Sequence, residues 1–292
     1  MRLARIGHSL SRTLWFYLAI VIVLIITLFP FYWMLVTSLK SNVQLFDYSR
    51  DLLWVRKPSL ANYIALFKTR SRVVFATAGF REWAVNSIYV SAITTVLSVV
   101  ISTMAGYSIA RLRYRGATLF GVLIFVTYLV PKTLLFIPLA QVFSQIGVLG
   151  RTQSLLLAYP TFVIPFCTWL LTGYFRTIPI DLEECAMIDG CTRVGALRFI
   201  TVPLSVPGIV TAAIFSFTLS WNDLLYALAF VSGEANKTLP LGITSSLVMS
   251  DYYFWGPLMA AALLSSIPVV IIYFFFVDLY VSGLTAGAVK GG

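Results

Sequence analysis

Six long apolar runs limit what this 292-residue chain can fold into. A helix crosses the hydrocarbon core of a bilayer with about 20 predominantly apolar residues, and every run approaches or exceeds that length. Charged residues make up 11% of the chain, well below the roughly one quarter typical of soluble domains. The sequence therefore predicts an all-α membrane protein with six transmembrane helices. The predicted spans are Leu14–Leu39, Ala84–Ala110, Ala117–Phe143, Ser154–Phe175, Ser205–Val231 and Gly256–Val281.

The first apolar run and the net charge both fit a resident membrane protein. The run at Leu14–Leu39 is too long for the core of a signal peptide and lacks a small-residue cleavage site, so we expect it to remain as the first span. The net charge is +10, but the basic residues are scattered through loops and accompany no motif for binding nucleic acid. We interpret them as charges that flank membrane spans.

Basic residues in short loops predict the orientation, because Lys and Arg accumulate on the cytoplasmic side. This places residues 1–13, the loop at 176–203 and the tail at 282–292 in the cytoplasm. The segment at 40–83 then lies outside although it is also basic, since long loops follow the charge rule poorly. Residues 84–281 form a predicted core of five helices. The orienting residues are Arg2, Arg5 and Arg12 before the first span, and Arg111, Arg113 and Arg115 between the second and third.

The outer segment at 40–83 carries the signals of a small folded cap. Pro58 ends the preceding stretch, and Ser59 is suited to cap a short helix that carries Asn62 and Leu66. A second outer segment, Ser232–Trp255, contains charged and aromatic residues. We expect both segments to lie on the extracytoplasmic face.

A charged loop interrupts the apolar sequence between the fourth and fifth spans. Pro179 suits the first turn of a helix, and the adjacent Glu183 and Glu184 favour a helix N-terminus through the backbone dipole. Gly190 permits a sharp turn into a second short helix. Ala186 and Gly190 carry little side-chain bulk, so another protein can approach the backbone closely. A solvated amphipathic helix without a partner is the alternative.

The spacing in this loop resembles the E-A-A-x3-G-x9-I-x-L-P signature on the cytoplasmic loop of bacterial ABC importer permeases. The matching residues are Glu184, Ala186, Gly190, Ile200 and Pro203, with Cys185 in place of Ala and Val202 in place of Leu. Landmarks along nearly the whole chain also resemble the MalG-like subunits of carbohydrate-uptake ABC permeases. They include Asn62-Tyr63, Asn86-Ser87, Ala110-Arg111-Leu112, Trp221-Asn222-Asp223 and Thr238-Leu239-Pro240.

The resemblance implies a six-span subunit of the type I (MetI-like) ABC importer fold in a bacterial inner membrane. Its implied partners are a second homologous permease, two ATP-binding subunits and an extracytoplasmic solute-binding protein that delivers a sugar. In that family the loop docks into a groove on the ATPase, where the acid of the motif, here Glu184, pairs with a basic residue. The implied coupling residues are Glu184, Ala186, Asp189, Gly190 and Pro203.

The sequence carries no signal for catalysis or for a cofactor of its own. It has no G-x-x-x-x-G-K-[ST] phosphate loop, so ATP-Mg is expected on the partner subunits. His8 is the single histidine, which excludes multi-histidine metal sites and argues against a histidine-based triad. Cys167, Cys185 and Cys191 match no zinc or redox spacing. The chain is therefore predicted to be a transporter subunit without metal or cofactor, and not an enzyme.

Two ionisable residues, Lys132 and Asp223, fall deep within predicted spans. At a rise of about 1.5 Å per residue both lie well inside the bilayer or near its outer half, where charges are costly and face a partner or a cavity. They either pair with each other or line the translocation path, and a lysine in the path would favour an anionic sugar derivative. The candidate path residues are Tyr128, Lys132, Trp221, Asn222 and Asp223, whose two aromatic rings suit stacking on a sugar.

We interpret the chain as the permease subunit of a sugar-importing ABC transporter. The alternatives are the import of a non-sugar or anionic solute, such as a polyol phosphate or an oligopeptide, and, from another class, a membrane scaffold or enzyme. Prolines within the spans are expected to interrupt backbone hydrogen bonding, most simply as packing kinks. They are Pro131, Pro138, Pro160 and Pro165.

Overall fold

The computed structural model describes residues 2–46, 52–67, 79–112, 114–248 and 253–288. These residues are almost entirely helical, and among them the β-pairings are isolated bridges between Gly150 and Val231 and between Val248 and Tyr253. Arg113, parts of both predicted outer segments and residues 289–292 of the predicted tail lie outside the described residues.

The helices follow one another with short connections. In chain order they are α1 (Arg2–Leu39), α2 (Asn42–Phe46), α3 (Ala61–Phe67), α4 (Phe80–Arg111), α5 (Ala117–Leu129), α6 (Phe136–Gln145), α7 (Gln153–Ala158), α8 (Pro160–Phe175), α9 (Asp181–Ile188), α10 (Arg193–Ala196), α11 (Val202–Leu204), α12 (Val206–Trp221), α13 (Leu225–Phe230), α14 (Leu239–Leu247) and α15 (Trp255–Ala288). Turns of 3₁₀ helix lie at Lys132–Leu135 and Glu234–Asn236, and a π-helical turn lies at Leu197–Thr201.

Several of these helices are long and apolar enough to cross a membrane. Four continuous ones are Thr13–Leu39, Phe80–Arg111, Gln153–Phe175 and Trp255–Ser282. Two bent pairs raise the number to six if each pair is one span. They are Ala117–Leu129 with Lys132–Gln145, bent by 89°, and Arg193–Leu204 with Val206–Trp221, bent by 79°.

The third predicted span, Ala117–Phe143, is therefore not a continuous helix. Helix α5 ends before Val130, which is extended with φ −68° and ψ 124°. The reason is Pro131, since a proline disfavours helical geometry in the residue that precedes it. Pro165 does not interrupt its span, because it lies inside the continuous helix α8, and Pro160 occupies the first turn of that helix, where a missing N–H costs nothing.

The fifth predicted span, Ser205–Val231, is broken at two places. The first break is at Ser205, between α11 and α12, where the N–H is shared by the carbonyls of Thr201 and Val202 at 3.0 and 3.1 Å. The second break is at residues 222–224, between α12 and α13. Asp223 lies in this second break, and Lys132 begins the turn that follows the break in the third span.

The chain divides into two compact units, one of residues 1–78 and 245–266 and one of residues 79–244 and 267–292. In the first unit, the apolar side chains of α1 between residues 13 and 32 are exposed. A helix that is apolar on all sides needs a lipid or protein environment.

The predicted short helix of the first unit is present as α3. The Ser59 hydroxyl accepts a hydrogen bond from the N–H of Ala61 at 3.2 Å. Asn62 Nδ2 donates to the carbonyls of Ser38 and Lys40, both at 2.8 Å. These bonds satisfy carbonyls at the C-terminal end of α1, which no N–H of the helix can reach.

The second unit is built around α4, which packs mainly against α8 and α12. Small hydroxyl side chains, none more than 2% exposed, line the buried face of α4. Small side chains let helix backbones approach closely, as in many membrane bundles. A Cβ on Gly106 of α4 would lie 3.2 Å from the backbone nitrogen of Thr172 in α8. The buried hydroxyl residues are Ser87, Ser91, Thr94, Ser98 and Ser102.

The landmark Asn86-Ser87 holds part of the second predicted outer segment against the start of α4. Asn86 Nδ2 donates to the carbonyls of Ala235 and Lys237 at 2.8 and 3.0 Å. Ser87 Oγ accepts from the N–H of Leu239 at 2.7 Å. These two side chains therefore fix the backbone that leads into α14.

Candidate functional site

The charged loop forms two short helices, α9 and α10, that meet at a sharp turn. Asp181, Glu183 and Glu184 all lie in the first turn of α9, where the unsatisfied N–H groups of the helix favour negative charge. Helix α10 begins after Thr192, whose Oγ1 accepts a hydrogen bond from the N–H of Gly195 at 3.1 Å. The predicted arrangement of two helices around a turn is thus present.

Gly190 makes the turn by ending α9 in a Schellman motif. The Gly190 N–H donates to the carbonyl of Met187 at 3.1 Å, and the Cys191 N–H donates to that of Ala186 at 2.9 Å. This pattern needs a left-handed residue after the helix, and Gly190 has φ +91°. A Cβ at Gly190 would meet nothing within 4 Å, so backbone geometry rather than crowding selects glycine there.

The structure brings most of the predicted coupling residues to one exposed surface. Glu184, Asp189 and Gly190 are exposed and Ala186 is half-buried. The neighbouring Ile188 is 84% exposed. Pro203 is also exposed, but it lies in α11, after the π-helical turn. The exposed side of α9 thus carries an acid in its first turn, and an apolar side chain and a bare turn at its C-terminal end.

Glu183, the neighbour of Glu184, is turned inward and is 4% exposed. Its Oε1 accepts from Arg111 Nε and from Thr201 Oγ1, both at 2.8 Å, and its Oε2 accepts from the Tyr107 hydroxyl at 2.9 Å. Arg111 also donates through a terminal nitrogen to the carbonyl of Ile178 at 2.7 Å. We call these four side chains, Tyr107, Arg111, Glu183 and Thr201, the Glu183 network.

The sequence analysis missed this network. It assigned Glu183 only to the helix dipole and Arg111 only to the orientation of the spans. Arg111 does stand in the landmark Ala110-Arg111-Leu112, which was the available signal. The spacing of residues in a motif does not reveal which of two adjacent acids turns inward.

Lys132 and Asp223 form an ion pair that joins the two broken spans. Lys132 Nζ lies 2.9 Å from Asp223 Oδ2. Asp223 Oδ1 accepts from the N–H of Tyr226 at 2.9 Å, which caps the start of α13. The Tyr226 hydroxyl donates to the carbonyl of Lys132 at 3.1 Å. The pairing alternative of the sequence analysis is thus present in the structure.

The two members of this pair differ in how far their side chains are exposed at the surface of the chain. The Asp223 side chain is 1% exposed, whereas the Lys132 side chain is 40% exposed. Lys132 Nζ also lies 5.1 Å from the centroid of the Phe162 ring, within the range of a cation–π contact. An ammonium has three donors, so the pair leaves hydrogen-bonding capacity on its open side.

The other predicted path residues do not share one environment. Tyr128 is 42% exposed and its ring lies 5.4 Å from that of Phe166. Asn222 is exposed and donates to the carbonyl of Thr218 at 3.1 Å. Trp221 is 3% exposed and stacks on Phe217 at 5.5 Å. The Trp221 ring is therefore packed within the chain in this conformation.

The described residues contain no group of three or more His, Cys, Asp or Glu side chains placed to hold a metal ion. Cys167 is buried, Cys185 is exposed and Cys191 is intermediate, and all three are free.

The matching family model is described as "Binding-protein-dependent transport system inner membrane component" and covers residues 75–285. The chain belongs to this family. It is therefore a membrane permease component of a transport system and not an enzyme, as the sequence predicted.

Relatives match over nearly the whole length of the permease. The sulfoquinovosyl glycerol transport system permease protein SmoH of Agrobacterium fabrum is 38% identical, over 94% of this chain and 93% of that protein. The trehalose/maltose transport system permease protein MalG of Thermococcus litoralis is 32% identical, over 93% and 94%. The diacetylchitobiose uptake system permease protein DasC of Streptomyces coelicolor is 32% identical, over 97% and 99%. The predicted resemblance is confirmed.

Solved structures share the fold of this permease. A bacterial ABC transporter that imports the acidic polysaccharide alginate has a TM-score of 0.75 at 20% identity, over 95% of this chain and 98% of that chain. The MetNI methionine ABC transporter has a TM-score of 0.54 at 16% identity, over 70% and 94%. The predicted MetI-like permease fold is confirmed.

Proposed function

We propose that this permease is part of an ATP-driven ABC importer that moves a sugar or sugar derivative into the cytoplasm of a bacterium. The relatives named for sulfoquinovosyl glycerol, trehalose/maltose and diacetylchitobiose transport support a sugar as the solute. An extracytoplasmic binding protein delivers it. One structural neighbour is an alginate ABC transporter in complex with a periplasmic protein that carries an alginate pentasaccharide.

The remaining partners are a second homologous permease and two ATP-binding subunits. The exposed apolar side chains of α1 between residues 13 and 32 suit contact with lipid or with the second permease. The inner membrane is the location, with both termini and the α9–α10 loop on the cytoplasmic side. The short-loop arginines support this orientation.

The observation that carries the proposal is the exposed side of α9, together with the turn at Gly190. Glu184 projects from the first turn of the helix, and the Gly190 turn leaves the backbone bare at its other end. A cleft of the ATP-binding subunit can therefore enclose α9 while a basic residue pairs with Glu184. Closure of the ATP-binding subunits then moves α9, and the spans rock between outward-facing and inward-facing states.

The solute passes close to the breaks in the third and fifth spans in this proposal. Backbone that leaves helical geometry at membrane depth is tolerated where it is buried in protein or lines a cavity. The exposed ammonium of Lys132, the amide of Asn222 and the ring of Tyr128 offer donors, an acceptor and an aromatic face to a sugar. Asp223 holds Lys132 in place.

Charge reversal at Glu184 tests the coupling role. The complex with its partner subunits, reconstituted in proteoliposomes with the loaded binding protein, is expected to lose uptake and solute-stimulated ATPase activity in Glu184→Lys. Gly190→Leu should act similarly for two reasons. A left-handed backbone costs a residue with a Cβ about 1–2 kcal/mol, and the added side chain stands where the ATP-binding subunit approaches the backbone of the turn.

Asp181→Lys is the matched control for Glu184→Lys. Asp181 is an exposed acid in the same first turn of α9 but lies outside the motif. Its reversal makes the same change in charge near the same helix dipole, so near-normal uptake is expected. Normal stimulated ATPase activity and uptake in Glu184→Lys would contradict the docking role.

The open side of the Lys132–Asp223 pair favours a second candidate, an anionic solute. An ammonium with free donors binds a carboxylate, sulfonate or phosphate through charge-assisted hydrogen bonds. In the double variant Lys132→Met with Asp223→Asn neither charge is stranded, so the complex should assemble. If the solute is anionic, this variant transports a neutral analogue normally and the charged solute poorly; equal transport of both would favour a neutral sugar.

A further inference from the structure

The Glu183 carboxylate connects three separate parts of the chain. It belongs to α9, and it accepts hydrogen bonds from α4 through Tyr107 and Arg111 and from the π-helical turn through Thr201. The turn leads directly into α11 and α12. One side chain therefore bonds the proposed coupling helix to the ends of the second and fifth spans.

The side chains of the Glu183 network are almost fully buried. The side chains of Arg111 and Glu183 are 7% and 5% exposed, and Thr201 is fully buried. Hydrogen bonds in which one group is ionised are shorter and about twice as strong as neutral ones. A displacement of α9 must therefore either carry α4 and α12 with it or break several charge-assisted bonds at once.

The network continues to the bend at the start of α12. Ser205 Oγ donates to the carbonyl of Thr201 at 2.6 Å, and Ser205 stands at the 79° bend between Arg193–Leu204 and Val206–Trp221. The π-helical turn that contains Thr201 replaces regular helix one turn before this bend, a feature frequent at functional sites. The hydrogen bonds of the Glu183 network therefore reach, through Thr201 and Ser205, the bend at which α12 begins.

The two adjacent acids of α9, Glu183 and Glu184, face different surroundings. Successive side chains on a helix are about 100° apart, so Glu184 faces out while Glu183 faces the network. The outward acid is available to another subunit, and the inward acid is fully occupied within the chain.

We propose that Arg111 and Glu183, with Thr201 and Tyr107, are positioning residues that make α9, the end of α4 and the start of α12 move as one body. The inference rests on the proposed function, because it assigns the route by which ATP-driven motion of α9 reaches the spans. It assigns no contact of these residues with solute or nucleotide.

Thr201→Val is the most informative variant, because it removes one hydroxyl from the Glu183 network and keeps the shape of the side chain. The complete complex with its partner subunits is compared in proteoliposomes at equal amounts of assembled protein. ATPase activity is expected to persist, while the solute moved per ATP hydrolysed falls about tenfold, the equivalent of one lost hydrogen bond to a charged group. Thr177→Val is the control, since the Thr177 hydroxyl donates to the nearby carbonyl of Tyr174 in the last turn of α8 and does not belong to the Glu183 network.

A purely structural role would give a different result. The amount of assembled Thr201→Val complex would fall, but each surviving complex would move the normal amount of solute per ATP. That outcome would overturn the proposal, because positioning residues must change the coupling ratio of the assembled complex.

A second measurement does not depend on solute transport. Spin labels at Leu182 of α9 and Leu204 of α11, both partly exposed, report the distance between the two helices when ATP binds to the complex. The distance is expected to stay constant in the parent complex and to change on ATP binding in Thr201→Val. A change in the parent complex itself would overturn the rigid connection. Absence of uptake in the parent complex would instead contradict the proposed function.

Discussion

The two ion pairs of this permease have nearly equal bond lengths and very different surroundings. Arg111 Nε lies 2.8 Å from Glu183 Oε1, and Lys132 Nζ lies 2.9 Å from Asp223 Oδ2. In the first pair both side chains are almost fully buried, at 7% and 5% exposure. In the second pair the carboxylate is 1% exposed and the lysine 40%.

This difference in exposure determines how each pair responds when one of its two residues is replaced. When one partner of the buried Arg111–Glu183 pair, the sealed pair, is removed, the other charge stays buried without its partner. When one partner of the Lys132–Asp223 pair, the half-open pair, is removed, the result depends on which partner remains, because only the lysine is exposed at the surface of the chain. The sealed pair therefore suits a fixed mechanical connection, and the half-open pair suits a contact with a passing solute.

The hydrogen bonds around the two carboxylates, Glu183 and Asp223, differ in the same way as their exposure. Glu183 accepts three hydrogen bonds and Arg111 donates to both Glu183 and the carbonyl of Ile178. Asp223 is bonded by Lys132 and by the backbone of Tyr226. Both carboxylates are thus held by more than their cation, but only the Lys132 end of the second pair opens to the outside of the chain.

The largest expected effect is the loss of either partner of the sealed pair. Arg111→Met and Glu183→Gln should each destabilise the protein by about 3–5 kcal/mol, since each strands buried polar groups of the other. The double variant Arg111→Met with Glu183→Gln should lose much less than the sum of the two single losses. Denaturant unfolding of the purified complex in detergent measures this double-mutant cycle. Additive losses in the double variant would mean that the two charges do not depend on each other.

The half-open pair should respond unequally to the loss of its two partners. Lys132→Met leaves the buried Asp223 carboxylate without its cation and should cost about 3 kcal/mol or more. Asp223→Asn leaves a lysine that is 40% exposed and an amide oxygen that can still accept from Tyr226, so about 1 kcal/mol is expected. Equal losses in the two single variants, by the same unfolding measurement, would contradict the role assigned to exposure.

Much of the fold was predictable because long apolar runs have few possible structures in a membrane. The bounds of the continuous spans differ from the predicted ones by a few residues, as for Gly256–Val281 against Trp255–Ser282. The breaks were harder to predict. Pro131 produces an 89° bend, whereas Pro165 lies in continuous helix. Local sequence identifies the missing N–H, but the packing around it decides whether the helix breaks.

The candidate site was predictable where the backbone geometry admits essentially one residue type. Gly190 was expected at a sharp turn and has the left-handed backbone that excludes most other residues. The pairing of Lys132 with Asp223 was one of two alternatives, since similar depth does not fix the rotation of a helix. Glu183 was missed for the same reason: two adjacent acids differ in function by the face that each occupies, and only the packed structure determines that face.

Effects smaller than the loss of a buried charge's partner are expected from single tyrosine hydroxyls, which give each pair a matched probe. Tyr107→Phe removes a hydrogen bond to the Glu183 carboxylate at 2.9 Å, and Tyr226→Phe removes one to the carbonyl of Lys132 at 3.1 Å. A hydrogen bond to a charged group contributes about 1.5–3 kcal/mol and a neutral one about 0.5–1.5 kcal/mol. Tyr107→Phe is therefore expected to be the more destabilising variant in the unfolding measurement.

The two variants should also separate coupling from solute contact in proteoliposomes. Tyr107→Phe weakens the Glu183 network, so the solute moved per ATP should fall while the concentration of loaded binding protein needed for half-maximal uptake stays unchanged. Tyr226→Phe loosens the backbone at Lys132, so that concentration should rise modestly while the coupling ratio stays near normal. The same pattern of change in both variants would show that the sealed and half-open pairs act as one element, and the distinction drawn from their exposure would fail.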